Sequence, residues 1–310
     1  MSSPLTSRLP LTRHEVDRDY LTRERPDAVD ELLASADTRV LPVWHGRTLM
    51  ASSERLALLE PAAVPAARGH VYLGRSQAPD AAEPVGTPIV AALLDDEQAK
   101  GLEPDEEAWG SLRMFGSDLS ARDVGLAVEA IAVANWHDSH RFSPRTGRAL
   151  VSGKAGWVRS DPEDGHEVFP RTDPAIIVGV TDADDRLLLG SNALWESNRW
   201  SLLAGFVEPG ESLEQAVQRE IFEESGVRVV DPRYVGSQPW PFPASLMLGF
   251  TATVDAVDPG VLEPDGAEIV ELRWFSRDEL AASLGDVLLP GRTSIARAII
   301  EDWFGAEIDQ

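Results

Sequence analysis

Gly205-Phe206-Val207-Glu208-Pro209-Gly210-Glu211-Ser212 runs on to Arg219-Glu220-Ile221-Phe222-Glu223-Glu224-Ser225-Gly226-Val227, and this stretch decides how the C-terminal half folds. Ser212 can cap a helix, and Gln215 stands where a capping box is completed. Gly226 falls where a helix ends in a left-handed residue. The spacing therefore predicts a helix from Leu213 to Ser225. Leu213, Val217 and Ile221 recur every fourth residue and give that helix a core stripe. Glu220, Glu223 and Glu224 stand beside the stripe, three and four apart. Like charges at those spacings cost an isolated helix roughly 0.2–0.5 kcal/mol per pair. A hard divalent cation among them lowers that cost, and Mg2+ and Mn2+ take oxygen ligands. Gly205 and Gly210 let the approach loop fold back against the helix. A solvated acidic face is the plainer reading of three glutamates in so acidic a chain.

Working outward, the apolar run 174–180 reads as a strand, 182–185 as a turn and 186–189 as the start of a return strand. Residues 201–207 are apolar again, strands continue through Trp274 and Phe275, and 293–304 reads as a closing helix. Alternation of this kind predicts a mixed sheet with packed helices. Upstream, Arg39–Trp44, 71–73 and 88–94 read as strands, and 120–137 as an amphipathic helix carrying Val124, Leu126, Ala127, Ala130, Ile131 and Val133. Between the halves, 140–173 is polar, glycine-containing and without strong periodicity. The expected organisation is an N-terminal domain at 1–140, a linker module at 141–173 and a C-terminal domain at 174–310.

The chain has 310 residues, 43% hydrophobic and 26% charged, a balance that supports a core in each half. Net charge is 28 − 52 = −24, which repels nucleic-acid backbones and anionic membranes. A small anionic ligand still binds such a surface where a metal ion supplies local positive charge. No apolar run approaches a membrane span, and 1–26 is too polar for a signal peptide. The sequence holds no cysteine, which excludes disulfides, thiol nucleophiles and cysteine-built zinc sites and agrees with a cytoplasmic location.

Gly205, Glu211, Arg219-Glu220, apolar Ile221, Glu223-Glu224, Gly226 and apolar Val227 together resemble every fixed position of the Nudix signature. That resemblance implies an α/β/α sandwich around a mixed sheet, preceded by a divergent α+β N-terminal domain and a short ribbon-like linker. It also implies metal-dependent hydrolysis of a nucleoside diphosphate linked to another group. By resemblance Glu220 and Glu224 are metal ligands, Glu223 is a ligand or water activator, and Arg219 orients the carboxylates, with Glu211. The Ala204 carbonyl is a further metal contact, and Glu268, before Arg273-Trp274, aligns with another metal-binding carboxylate. The implied cofactor is Mg2+ or Mn2+.

Ser237-Gln238-Pro239-Trp240-Pro241-Phe242-Pro243-Ala244-Ser245 narrows the choice. Three alternate prolines read as an extended, rigid stretch that presents Trp240 and Phe242 for stacking, with Gln238 and Ser245 as hydrogen-bonding ends. A proline-rich partner peptide is the competing reading, but the spacing is not that of a PxxP ligand. The array resembles the NADH pyrophosphatase branch, the NudC type, over most of the chain. That resemblance implies conversion of NADH or NAD+ to nicotinamide mononucleotide and AMP, removal of NAD caps from RNA 5′ ends, and a homodimer. It carries substrate contacts onto Gln238, Pro239, Trp240, Pro241, Phe242, Pro243, Ala244 and Ser245. Phe169, Phe206 and the Ala296 backbone are carried over as further contacts. Core packing competes for both phenylalanines. Arg113 aligns with a substrate-binding arginine on a poor local match, against the reading of a solvated surface side chain.

One departure stands out. The four zinc-ribbon cysteines of many relatives align with Ser143, Thr146, Asp161 and Asp164, so no structural zinc is expected, and packing is expected to hold the ribbon. His137, His140 and His166 nearby read as satisfied or exposed histidines. Two other functions compete: a Nudix hydrolase of ADP-ribose or another nucleoside diphosphate derivative, and a non-catalytic dinucleotide sensor. A full set of carboxylates argues against the sensor. Activity is expected to need divalent metal and to rise toward alkaline pH.

Overall fold

The computed structural model describes residues 5–196 and 198–310. Two compact units divide the chain. The first takes 13–172 and 240–244; the second takes the described parts of 5–12, 173–239 and 245–310. Among the described residues no helix is long and apolar enough to cross a membrane.

In the first unit, β1 (Val16–Asp17), β2 (Arg39–Trp44), β3 (Arg47–Ser52), β4 (Arg55–Leu56), β5 (Gly69–Ser76), β6 (Pro88–Leu93) and β7 (Trp109–Gly110) form one sheet. Its order is β1-β5-β6-β2-β3-β4, with β7 on β3. β2 and β6 run parallel, and β5 pairs antiparallel with β6. Every residue of β6 is buried, as a continuous apolar run requires of a central strand. Helices α1 (Tyr20–Arg23), α2 (Ala28–Leu33), α3 (Asp96–Leu102), α4 (Leu112–Phe115) and α5 (Ala121–Ser139) accompany it.

Helix α5 starts at Ser120, whose hydroxyl accepts from the Asp123 amide. It is buried on nearly all sides, so its charges need partners. Arg122 pairs with Glu83 and Asp123. Glu129 faces Arg23 at 3.1 Å and Arg18 at 3.8 Å. Burial pushes the Glu129 carboxyl up to about 7 against the pull of the two arginines.

Residues 141–172 cluster with this unit. They carry β8 (Val151–Gly153), β9 (Val158–Ser160) and β10 (Glu167–Val168), an antiparallel sheet in the order β10-β9-β8. The four positions aligned with zinc ligands lie in two turns of matching geometry. Ser143 N–H donates to Arg148 O and Gly147 N–H to Ser143 O; Asp161 N–H donates to His166 O and Gly165 N–H to Asp161 O. Gly147 and Gly165 both take left-handed φ, 73° and 70°. Between the turns, Thr146 Oγ1 donates to Asp161 Oδ2 at 2.5 Å. Arg145 pairs with Asp164, and Arg148 reaches Asp161 at 3.7 Å. Hydrogen bonds and ion pairs, rather than packing alone, therefore tie these turns together. The Thr146 hydrogen bond leads the effects that hold Asp161 below the usual carboxylate range. His137 is buried with Nε2 2.8 Å from Gly156 O, while His140 and His166 are not buried. Asp161→Ala is expected to lower the melting temperature, which thermal melts of the variant beside wild type check.

The second unit holds β11 (Asp173–Thr181), β12 (Leu187–Asn192), β13 (Leu203–Phe206), β14 (Val229–Trp240), β15 (Ser245–Val254) and β16 (Ile269–Phe275). The sheet order is β14-β15-β11-β12-β16, with β13 on β11. β11 runs parallel to β15 and antiparallel to β12 and β13, so the sheet is mixed. Helix α6 (Leu213–Ser225) packs Ala216, Val217 and Ile221 against Ile176, Val178 and Phe250 on one face. α7 (Arg277–Ser283) and α8 (Ile295–Phe304) bring Leu280, Ile295 and Ile299 to Ile177, Leu187 and Leu189 on the other. Strand alternation sorts Ile176 and Ile177 onto opposite faces. The result is the α/β/α sandwich. Leu5 and Leu9 join the second face, which their distance in sequence conceals.

Candidate active site

Helix α6 begins in the expected capping box. Ser212 Oγ accepts from the Gln215 amide, and Gln215 Oε1 accepts from the Ser212 amide. It ends at Gly226, φ 68°. A Cβ there would meet Val261 O at 2.2 Å, so both backbone and space demand glycine.

Arg219 gathers four partners. Its Nε and one Nη donate to the two oxygens of Glu211, at 3.0 and 2.6 Å. The other Nη lies 3.0 Å from Glu223 Oε2 and 3.0 Å from Glu220 Oε1. Phe206 O accepts a further bond at 3.0 Å. Glu211 also accepts the Glu208 amide, which ties the glycine-rich loop to the helix. Through these bonds, chiefly the one from Arg219, Glu211 is held below the usual carboxylate range.

Gly205 lies directly under Glu220. An added Cβ would stand 2.0 Å from the Glu220 carboxyl carbon. Gly205→Ala is expected to push that carboxylate aside and weaken Mn2+ binding roughly tenfold, as read by Mn2+ titration.

Glu224 is buried, and its Oε2 has no hydrogen-bond partner. Burial pushes its carboxyl up to about 8, helped by the charges of Glu268, Glu220 and Asp265 and opposed by the Ala204 amide. Glu220 is also raised, first by burial and further by Glu223 and Glu268. Both helix glutamates thus sense the charge of Glu268. Among the described residues no three acidic or histidine side chains form a ready-made ligand set. Arg219 instead occupies Glu220 and Glu223. The donors are nevertheless all oxygen, the charge is in excess, and one buried carboxylate oxygen is orphaned. That is the donor chemistry of a hard divalent cation.

Glu268 is reached by two residues that carried no clear sequence signal for this role. Asn192 Nδ2 donates to Glu268 Oε1 at 3.3 Å. Asp265 Oδ1 accepts from the amides of Ala267, Glu268 and Ile269. An Asp-Gly turn at 265–266 is legible; Asn192 is not.

The proline array divides. Residues up to Trp240 are extended in β14, but 241–244 form a turn, with Phe242 N–H donating to Trp240 O at 2.7 Å and a cis Phe242–Pro243 peptide. The expected extended stretch is therefore corrected. Proline restricts φ alone, and the chain must reverse into β15 at Ser245. Gln238 is fully buried; its amide donates to Thr293 O and accepts from Ile295 N–H. Both ends hold the start of α8. Ala296, also buried, donates its amide to Ser294 Oγ.

In the first unit, Trp240 and Phe242 pack edge to face at 4.9 Å. The Arg113 guanidinium lies 5.1 Å from the Trp240 ring and 4.3 Å from that of Phe242. Arg113 is exposed, yet it stacks rather than pointing freely into water. Asn135 on α5 donates to Pro241 O and Pro243 O and fixes the turn. Phe169 and Phe206 are 57% and 58% exposed, so neither is a core side chain.

A NUDIX domain matches residues 170–298, and an NADH pyrophosphatase-like rudimentary NUDIX domain matches 37–136. A Mycobacterium bovis protein named NAD-capped RNA hydrolase NudC is 41% identical over 99% of this chain and 96% of its own length. The chain belongs to the NudC-type Nudix hydrolases. A NudC-type relative from Mycobacterium tuberculosis is 40% identical over the same shares. Another, from Pseudomonas syringae, is 40% identical over 70% of this chain and 73% of its own. Membership of the NudC type agrees with the mixed sheet, the N-terminal α+β unit and the signature helix described above.

Proposed function

We propose that this chain hydrolyses the diphosphate bond of NAD(H) to nicotinamide mononucleotide and AMP, and removes NAD caps from RNA 5′ ends. The observation that carries the reading is Glu224, a buried carboxylate with an orphaned oxygen beside Glu220 and Glu268 in a chain of the NudC type. Glu220, Glu224, Glu268 and the Ala204 carbonyl would hold Mg2+ or Mn2+. When bound, the metal supplies charge neutralisation on the diphosphate and a more acidic water.

The chain's own residues do the rest. Arg219 holds Glu211, Glu220 and Glu223 in one array and anchors the loop through Phe206 O. Glu223, more than half exposed on the same helix, accepts the proton of the attacking water. Trp240, Phe242 and Arg113 form a stacking surface for a flat base or the nicotinamide ring. Pro241, Pro243 and Ala244 lie in the same turn as that surface, and Gln238, Pro239 and Ser245 are further substrate contacts on the resemblance to the branch. Phe169 and Phe206, both exposed, are further stacking candidates. The homodimer, and the cytoplasm as its location, belong to this proposal on the resemblance to the branch and the cysteine-free composition.

Incubation with NADH and Mn2+ tests the reading. AMP plus reduced nicotinamide mononucleotide is the expected product pair. Turnover of ADP-ribose but not NADH would transfer the assignment to another nucleoside diphosphate derivative.

A further inference from the structure

We propose that Asn192 is the positioning residue that aims Glu268 at the Glu220–Glu224 pair, an inference that rests on the metal-holding reading of Glu268. Glu268 lies at the end of a loop, with the same charge as the two helix glutamates. It is exposed, so without a restraint repulsion would turn it away from them. The structure supplies three. Asp265 Oδ1 takes the Ala267, Glu268 and Ile269 amides, at 3.0, 3.0 and 2.8 Å. Ala193 N–H donates to Glu268 O at 2.9 Å. These two grip the backbone. Asn192 alone among the three grips the carboxylate, through Nδ2 at 3.3 Å.

The orientation of the Asn192 amide follows from its other partner. Leu194 N–H lies 2.9 Å from Asn192 Oδ1. A backbone N–H only donates, so the oxygen must face it, and the NH2 is left to face Glu268. The pairing of β12 with β16 shifts register between Ser191 and Asn192. A bulge of this kind re-aims a side chain, here toward Glu268. Partners that orient a metal-binding carboxylate are worth about 10–100-fold in metal affinity or activity.

The test is a double-mutant cycle on the full chain, read by Mn2+ titration with electron paramagnetic resonance of the free ion. Glu268→Gln is expected to weaken Mn2+ binding. Asn192→Ala is expected to weaken it about tenfold, with the melting temperature little changed. In the Glu268→Gln background, Asn192→Ala should then have no further effect, because its target is gone. Should Asn192→Ala weaken binding equally in both backgrounds, it acts through loop shape and the proposal is overturned. It is also overturned if only Glu268→Gln has an effect. No effect of Glu268→Gln itself removes the metal role of Glu268, and the inference with it.

Discussion

Glu224→Gln is expected to abolish turnover of NADH while making the metal-free chain more stable at pH 8. Both effects come from one placement. Glu224 is buried, and its carboxyl is pushed up to about 8 from an ordinary value of 4.5. A raised carboxyl means that ionisation costs the folded chain and not the unfolded one. Stability is therefore full below the ordinary carboxylate range and falls as pH rises from about 4.5 toward 8. The upper bound on that loss is roughly 5 kcal/mol, at ~1.4 kcal/mol per pKa unit. Glutamine keeps the shape and carries no charge, so its melting temperature should fall less than wild type's over that window, where the raised Glu129 and Glu220 still titrate, and exceed wild type at pH 8. Mn2+ should reverse the order, stabilising wild type and not the variant, since a ligand raises the stability of the state that binds it. The kcat should fall roughly 10³-fold or more. Thermal melts across pH with and without Mn2+, beside NADH turnover, decide it. A variant that turns over normally would remove Glu224 from the metal site.

Local chemistry explains what could be read from sequence. Helix α6 was legible because its cap, its four-residue stripe and its terminal glycine all lie within fifteen consecutive positions, 212–226, and need no distant partner. Strand β6 was legible as an unbroken apolar run. The carboxylate group was legible in composition, and the resemblance implied a role for Arg219 with Glu211; that the same guanidinium also binds Phe206 O shows only once the chain is folded. Long-range contacts account for the misreadings. Gln238 looked like a free hydrogen-bonding end, yet Thr293 and Ile295, more than fifty residues on, consume it. Pro239 to Pro243 looked extended, yet strand reversal bends it. Arg113 read as a solvated surface side chain, yet Trp240 and Phe242, far along the chain, give it rings to stack on. The Thr146–Asp161 bond joins two turns that no periodicity connects.

Arg219→Lys should lower kcat roughly 10–100-fold, although the charge is kept. Arginine at this position makes a forked contact to Glu211 with two nitrogens and reserves its third for Glu220 and Glu223. Lysine offers one point of charge on a flexible stem and cannot hold a planar fork. It can neutralise one carboxylate but cannot set the spacing of three. Glu220 is already raised by burial and by its acidic neighbours; without the fork it moves further from the usual range. Mn2+ affinity should fall together with kcat, while KM for NADH changes little. The joint loss separates positioning from bulk electrostatics, because a pure charge effect predicts that lysine is neutral and alanine alone is costly. Activity of Arg219→Lys within twofold of wild type, with unchanged Mn2+ binding, would show that charge alone arrays the glutamates.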